Sequence, residues 1–243
     1  MSQKLIYSTA AAVDGFCGSS QFTWVALLGE DGNVYDYSKT SVEMRLTANA
    51  AIDDAWDNLR KGIYMFPSTA MPEGSVITSG SFSCIPAAGF SDVFLSSLVL
   101  ANAPTAIANQ IAAADYQKLN ANKIELSDTR HSIASLVADT RITFPLNAAG
   151  YASLQASFDA GGAFKLSTIY DWDFDEVNPG WQAGVADSVS MYGYSYGTAA
   201  FRPILTLGFY VGGGYATIKI TGTKATGADV LTADNWAIEV FTK

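Results

Sequence analysis

The chain has 243 residues, 49% of them hydrophobic and only 15% charged, against a typical charged share of about 25%. Its 14 Lys and Arg against 23 Asp and Glu leave a net charge of -9, so counterion release cannot drive binding to nucleic acid, and DNA and RNA are not expected partners. No run of 18 or more apolar residues is present, and Met1 to Ser8 lacks the basic flank, apolar stretch and cleavage site of a secretory leader, so neither a membrane span nor export by that route is expected.

Short Val, Ile, Tyr, Phe and Thr runs of period two, separated by Gly, Pro, Asn or Asp, recur along the chain and predict strands. In order these are Lys4 to Thr9, Phe22 to Leu28, Asn33 to Tyr37, Val42 to Leu46, Gly62 to Phe66, Val76 to Ile85 and Asp92 to Leu100. After a less regular middle come Lys123 to Leu126, Arg141 to Pro145, Phe164 to Asp171, Ser188 to Tyr194, Ile204 to Tyr210, Ala216 to Thr221 and Trp236 to Phe241. Asp14 to Gly18 reads as a turn, and Gly29 to Asn33 as a second turn that joins two strands in a hairpin. Helix is confined to three short stretches. Ile52, Ala55, Trp56 and Leu59 have helical spacing within 50–59, Pro104 could open a helix over 105–117, and Tyr151, Leu154 and Gln155 fall on one side of 147–156. The spacing describes an antiparallel sandwich with a few short capping helices, and the inward positions are expected to include Leu5, Tyr7, Val76, Phe94, Leu98, Phe144, Leu205 and Leu207. No repeat or low-complexity linker divides it, so residues 1–243 are expected to form one domain.

Chemistry is harder to find. Cys17 and Cys84 lack any local spacing, and free thiols are the expectation; His131 is the single histidine, which removes the ordinary zinc sites. Gly193-Tyr194-Ser195-Tyr196-Gly197 fits the G-x-S-x-G nucleophile elbow, but no histidine follows Ser195 and Pro203 stands too near for the helix that the motif requires. Asp171, Trp172, Asp173 and Asp175, with Trp181 just beyond, form the one stretch that suggests a ligand or partner loop, since alternating carboxylates suit a hard cation and tryptophans stack on sugar rings. An EF-hand is excluded there, because Gln182 occupies the twelfth position and no glycine the sixth. Gly212-Gly213-Gly214 reads as a turn without a basic phosphate partner. No catalytic residue, cofactor site or metal site is therefore assigned.

Between Gly62 and Tyr210 the order of segments resembles the DNRLRE type of β-jelly-roll domain, found in cell-surface proteins, carbohydrate-binding modules and bacteriophage structural proteins. The resemblance rests on Gly62 to Phe66 followed by Met71 to Ile77, on Asp92 to Leu100, on Ala114-Asp115-Tyr116, on Ile142 to Gly150, and on Arg202-Pro203-Ile204-Leu205-Thr206-Leu207 as a closing strand. It implies N-terminal strands and a short helix over 1–61, a jelly-roll core over 62–210, and a C-terminal hairpin extension over 211–243. The expected function is that of a non-enzymatic virion protein of a bacteriophage, made in the host cytoplasm: a capsid decoration or auxiliary head protein, or a tail-associated protein. Other capsid or tail proteins and further copies of the chain are the expected partners, and Tyr215, Ile218, Trp236 and Phe241 of the hairpin are the expected subunit contacts. The alternative is a glycan-binding module, or the receptor-binding part of a fibre, that contacts host surface glycan through the Asp171 to Trp181 loop.

Overall fold

The computed structural model describes residues 2–7, 14–20, 23–29, 31–36, 40–104, 111–211, 216–222 and 236–242, with backbone alone for 2–7, 216–222 and 236–242. Two antiparallel sheets make an all-β sandwich. The smaller has the order β1 (Ser2–Tyr7), β12 (Ile204–Val211), β6 (Ser75–Cys84), β9 (Ile142–Pro145). The larger runs β11 (Ala186–Tyr192), β4 (Ser41–Ala48), β5 (Trp56–Phe66), β10 (Phe164–Tyr170), β7 (Ser97–Asn102), β8 (His131–Ser132), with β2 (Gly15–Ser19) paired to β5 and β3 (Val34–Asp36) to β2. From β5 onward the chain passes repeatedly between the sheets, and β13 (Ala216–Gly222) and β14 (Trp236–Thr242) form a separate hairpin. The core lies between the sheets. Phe82 of β6 is its centre, with ring centroids 4.8 Å from Tyr64 and 6.1 Å from Phe66 on β5, and 6.1 Å from Phe144 on β9. Such aromatic contacts add to the burial of each ring.

The arrangement around β5 positions the site. Residues 59 and 60 pair with both β2 and β4, and residues 62 and 63 with both β2 and β10. A strand has two edges, so β4 and β10 follow the same edge of β5 in succession and diverge at Lys61. Gly62 permits that approach: a Cβ there would lie 2.6 Å from Thr168 Oγ1, 2.7 Å from Val42 Cγ1 and 2.8 Å from Met44 Sδ.

Most of the expected strands are present, and the departures have local causes. Residues 50–59 are not a helix: Asn49 Oδ1 accepts from the backbone N–H groups of Ala51 and Ile52, Asp54 adopts a left-handed φ of 56°, and the chain turns from β4 into β5. Trp56 and Leu59 are buried as strand residues, while Ile52 is exposed. The reverse holds for the segment expected as a strand over Phe22 to Leu28, which overlaps the helix α1 (Trp24–Gly29) with Trp24 and Leu27 inward. Of the expected helix over 105–117, the part at 105–110 lies outside the described residues, and α2 (Asp115–Asn120) begins near its end. The third helix is present as α3 (Ala148–Asp159), its start capped by Asn147 Oδ1, which accepts from Gly150 N at 2.9 Å.

Asp14 to Gly18 lies mostly in β2, not in a turn. Gly18 is small because backbone crowds it, with Leu59 O at 2.6 Å from where a Cβ would stand. Lys123 to Leu126 makes one isolated bridge, Glu125 to Ala101. Val76 points outward, contrary to the sequence reading, whereas Phe94, Leu98, Phe144, Leu205 and Leu207 are buried; the side chains of Leu5 and Tyr7 lie outside the description. A bulge explains Val76. Gly208 pairs with Ser79 and Phe209 with Ile77, leaving Thr78 as an extra residue, so inward positions are even at Phe82 and Cys84 but odd at Ile77 and Ser75.

Candidate functional site

The acidic stretch is a strand end folded into one helical turn. β10 delivers Tyr170, and α4 (Asp171–Phe174) follows at once. Asp171 Oδ1 accepts from Ser97 N at 2.9 Å and Trp172 N at 3.0 Å, which ties α4 to the start of β7; burial raises its carboxyl above the ordinary range, and those hydrogen bonds oppose the rise. Asp173 turns inward and is wholly buried beside Lys61 of β5, which is equally buried. Lys61 Nζ lies 3.0 Å from Oδ1 in hydrogen-bond geometry and 2.8 Å from Oδ2 as an ion pair only. Lys123 reaches the same carboxylate, 3.2 Å from Oδ1, and also donates to the Asp173 backbone carbonyl. Lys61 further donates to Asn120 Oδ1 at the end of α2, and its Nζ stands 4.6 Å from the centroid of the Tyr116 ring.

Asp175 is paired as well. Arg130 grips it with both terminal nitrogens at 2.6 and 3.1 Å, holds Glu125 at 2.8 and 3.0 Å, and lies over the Phe174 ring. These two carboxylates keep the guanidinium protonated more firmly than an ordinary arginine. Trp181 Nε1 donates to Ala55 O at 2.9 Å, and both Trp172 and Trp181 are half-buried against the core. Asp171, Asp173, Asp175 and Trp181 are thus each held by a side-chain hydrogen bond or ion pair within the protein, Trp172 packs against the core with its Nε1 buried and without a hydrogen bond among the described residues, and the loop is fastened at Ser97, Lys61, Lys123, Arg130 and Ala55. Among the described residues no group of three or more His, Cys, Asp or Glu side chains is arranged to hold a metal ion. Cys17 and Cys84 are free, buried thiols, each pushed up to about 12 mainly by burial.

The serine elbow has a different setting from a hydrolase. β11 is antiparallel to β4, Ser195 is exposed in a turn closed by Tyr196 N donating to Gly193 O, and a 3-10 turn at Ala199–Phe201 follows. A His131 ring nitrogen lies 2.9 Å from Thr143 O, and the ring meets Phe144 edge-on.

That same segment carries a feature the sequence reading missed. Tyr192, Tyr196 and Phe201 form a half-exposed aromatic cluster, with centroids 4.1 Å apart for Tyr192 and Tyr196, 5.0 Å for Tyr192 and Phe201, and 5.8 Å for the stacked pair Tyr196 and Phe201. The Tyr192 hydroxyl hydrogen-bonds to Asp139 Oδ1 at 2.7 Å, and Arg202 lies over the neighbouring Tyr194 ring. The alternation Tyr192, Tyr194, Tyr196 was the available signal, but it reads equally well as a strand. Elsewhere, a shallow groove of about 630 Å³ runs between α2 and α3, lined by Asn102, Lys118, Ile124, Ala152 and Ser153 among others, and includes none of the expected site residues.

In the hairpin, Tyr215 lies outside the described residues. Ile218 stands opposite Val240, Trp236 opposite Gly222 and Phe241 opposite Thr217, so by strand alternation Ile218 and Trp236 share one face of the ribbon and Phe241 the other. No protein-family model matches the chain, and a comparison with curated proteins finds no match.

Proposed function

We propose that this chain is a non-enzymatic structural protein of a bacteriophage particle, built on a jelly-roll sandwich and acting as a capsid decoration or auxiliary head protein, or in the tail. The observation that carries a structural reading is the Asp171 to Trp181 loop, whose carboxylates face Lys61, Lys123 and Arg130 and serve to fasten the loop to the sandwich. The low charged share of the chain and the repeated passage between the two sheets support the same reading. The partners are other capsid or tail proteins and further copies of this chain. Mass spectrometry of purified particles tests it: the protein is expected at a stoichiometric copy number, and its absence from particles would refute the proposal. No hydrolysis of activated esters is expected, and an activity abolished by Ser195→Ala would overturn the non-enzymatic reading.

A second reading is favoured by one specific observation. The half-exposed rings of Tyr192, Tyr196 and Phe201, with Asp139 and Arg202 beside them, combine flat apolar faces with polar groups, the combination that holds a sugar ring. On this reading the protein binds host surface glycan through that cluster and not through Trp172 and Trp181. A glycan array probed with the wild type and with Tyr196→Ala separates the two: binding lost in the variant supports the glycan reading, and no binding by the wild type removes it.

A further inference from the structure

Lys61, Asn120 and Asp173 come from β5, α2 and α4, and meet in the interior. Lys61 and Asp173 have no exposed surface, and Lys61 Nζ touches both the Asn120 side-chain carbonyl and the Asp173 carboxylate. Asn120 Oδ1 accepts from the amine, so its carbonyl carbon stands one bond beyond the atom that Nζ contacts. At the other end of that carboxamide, Asn120 Nδ2 is buried beside the Tyr116 hydroxyl, whose own proton goes to Leu27 O, and makes no hydrogen bond of good geometry among the described residues. A buried amide nitrogen in that state is costly for a merely structural asparagine.

The two lysines differ in their partners. Lys61 and Lys123 share the buried Asp173 carboxylate, and Lys123 alone has a second acid, pairing also with the exposed Glu176 at 3.4 Å. Burial pushes the Lys61 amine below the ordinary lysine range; Asp173 opposes that shift and Lys123 adds to it. A neutral amine is the nucleophilic form, and apolar surroundings are what favour it. The Tyr116 ring and β2, which pairs Cys17 with Lys61, enclose the group.

We propose that Lys61 and Asn120 react within the folded chain to form an intramolecular isopeptide bond, with Asp173 as the proton carrier. The neutral Lys61 Nζ attacks Asn120 Cγ, and Asp173 takes the proton that the nitrogen loses. The Asp173 carboxyl then gives that proton to Nδ2, the Cγ–Nδ2 bond breaks, and ammonia leaves as the Nζ–Cγ amide forms. No oxidant, metal or activated co-reactant is needed, because amine plus carboxamide gives substituted amide plus ammonia. Proximity drives the step: the fold holds the amine against the carbonyl and excludes competing water. The product ties β5 to α2 across 59 residues of chain and converts the buried amine and carboxamide into one amide.

Intact-mass measurement on the purified full-length chain, denatured, tests this directly. The wild type is expected to be lighter than its sequence by one ammonia. Tryptic mapping should find Lys61 resistant to cleavage and joined to the segment 119–123, which holds Asn120. Lys61→Met, Asn120→Ala and Asp173→Asn should each restore the full sequence mass, while Lys123→Met should keep the loss. A wild-type chain at full mass overturns the proposal whether or not the buried variants fold. So does a loss of water with Lys61 joined to Asp173, or an ammonia loss that persists in Lys61→Met.

Discussion

Lys61 Nζ lies 2.8 Å from Asp173 Oδ2, with both side chains wholly removed from solvent, so the loop after β10 is fastened to the interior of β5. Two residues on, Asp175 makes a closer-looking pair with Arg130, yet its side chain is 44% exposed and that of Arg130 32%. The two acids of one loop should therefore behave differently. Asp173→Ala strands two lysines beside a hole in the interior and is expected to cost about 3 to 5 kcal/mol. Asp175→Ala leaves Arg130 still holding Glu125 in a screened setting and should cost less than about 1 kcal/mol, shrinking further as salt is added. Urea unfolding at low and high ionic strength measures both, and equal costs would show that the burial difference has no energetic meaning.

The bulge at Thr78 gives a second test through a pair of aliphatic residues. Leu205 sits in β12 between β1 and β6 with no exposed surface, and Leu205→Ala is expected to cost about 2 to 5 kcal/mol by lost burial and the cavity left behind. Val76 stands across from Tyr210, and both are 37% exposed. Val76→Ala should change stability by less than about 0.5 kcal/mol. A large cost at Val76 would place the bulge elsewhere in β6.

Asp187 of β11 supplies a pH dependence. Its buried carboxylate accepts from Val93 N, from Phe94 N at 3.0 Å and from the Ser96 hydroxyl; burial raises its pKa above the ordinary 3.8, and these donors pull it back. A raised carboxyl binds a proton more readily in the native than in the unfolded chain. Stability therefore falls as pH rises from the unfolded pKa through the folded one, and is flat above it. Asp187→Asn keeps one acceptor oxygen and loses the titration. The difference in urea midpoint, wild type minus variant, should fall from about pH 4 upward and then level off. A difference that grows with pH would reverse the sign of the assigned shift.

How much of this was legible in the sequence follows from the range of each interaction. β6, β10 and β12 show their alternation locally, and local pattern found them. α1 is a short apolar run, Trp24-Val25-Ala26-Leu27-Leu28, in which period two and period 3.6 cannot be told apart. β2 was hidden by Gly15 and Gly18, which look like turn residues but serve close packing against β5. The acidic loop was visible as a cluster, but its meaning was not. Lys61 lies 112 residues from Asp173 and Lys123 lies 50, so nothing near the carboxylates indicates that one is a buried partner and another a surface one. Composition marked Trp172 and Trp181 as ligand candidates for the same reason, whereas the half-exposed rings cluster at Tyr192, Tyr196 and Phe201, where residues brought together by a turn meet.

The C-terminal hairpin gives the test of assembly. β13 and β14 pair along Ala216–Gly222 and Trp236–Thr242, and β13 runs alongside β1, the edge strand of the smaller sheet. Among the described residues β14 pairs with β13 alone, which leaves it a strand edge with unpaired backbone groups of the kind that recruits another chain. The register adds an apolar face, since Ile218 and Ile220 stand opposite Val240 and Ile238, with Trp236 on the same side. If this ribbon is the contact between copies or with a capsid or tail protein, deleting residues 212–243 should lower the oligomeric mass measured by light scattering and abolish recovery on purified particles. Ile218→Asp is the milder probe, which keeps the ribbon's length and should weaken assembly in the same direction. A truncated chain that unfolds at the same urea midpoint, keeps its oligomeric mass and loads onto particles at the same copy number would exclude the hairpin as a contact element and move the search to the edges of the larger sheet.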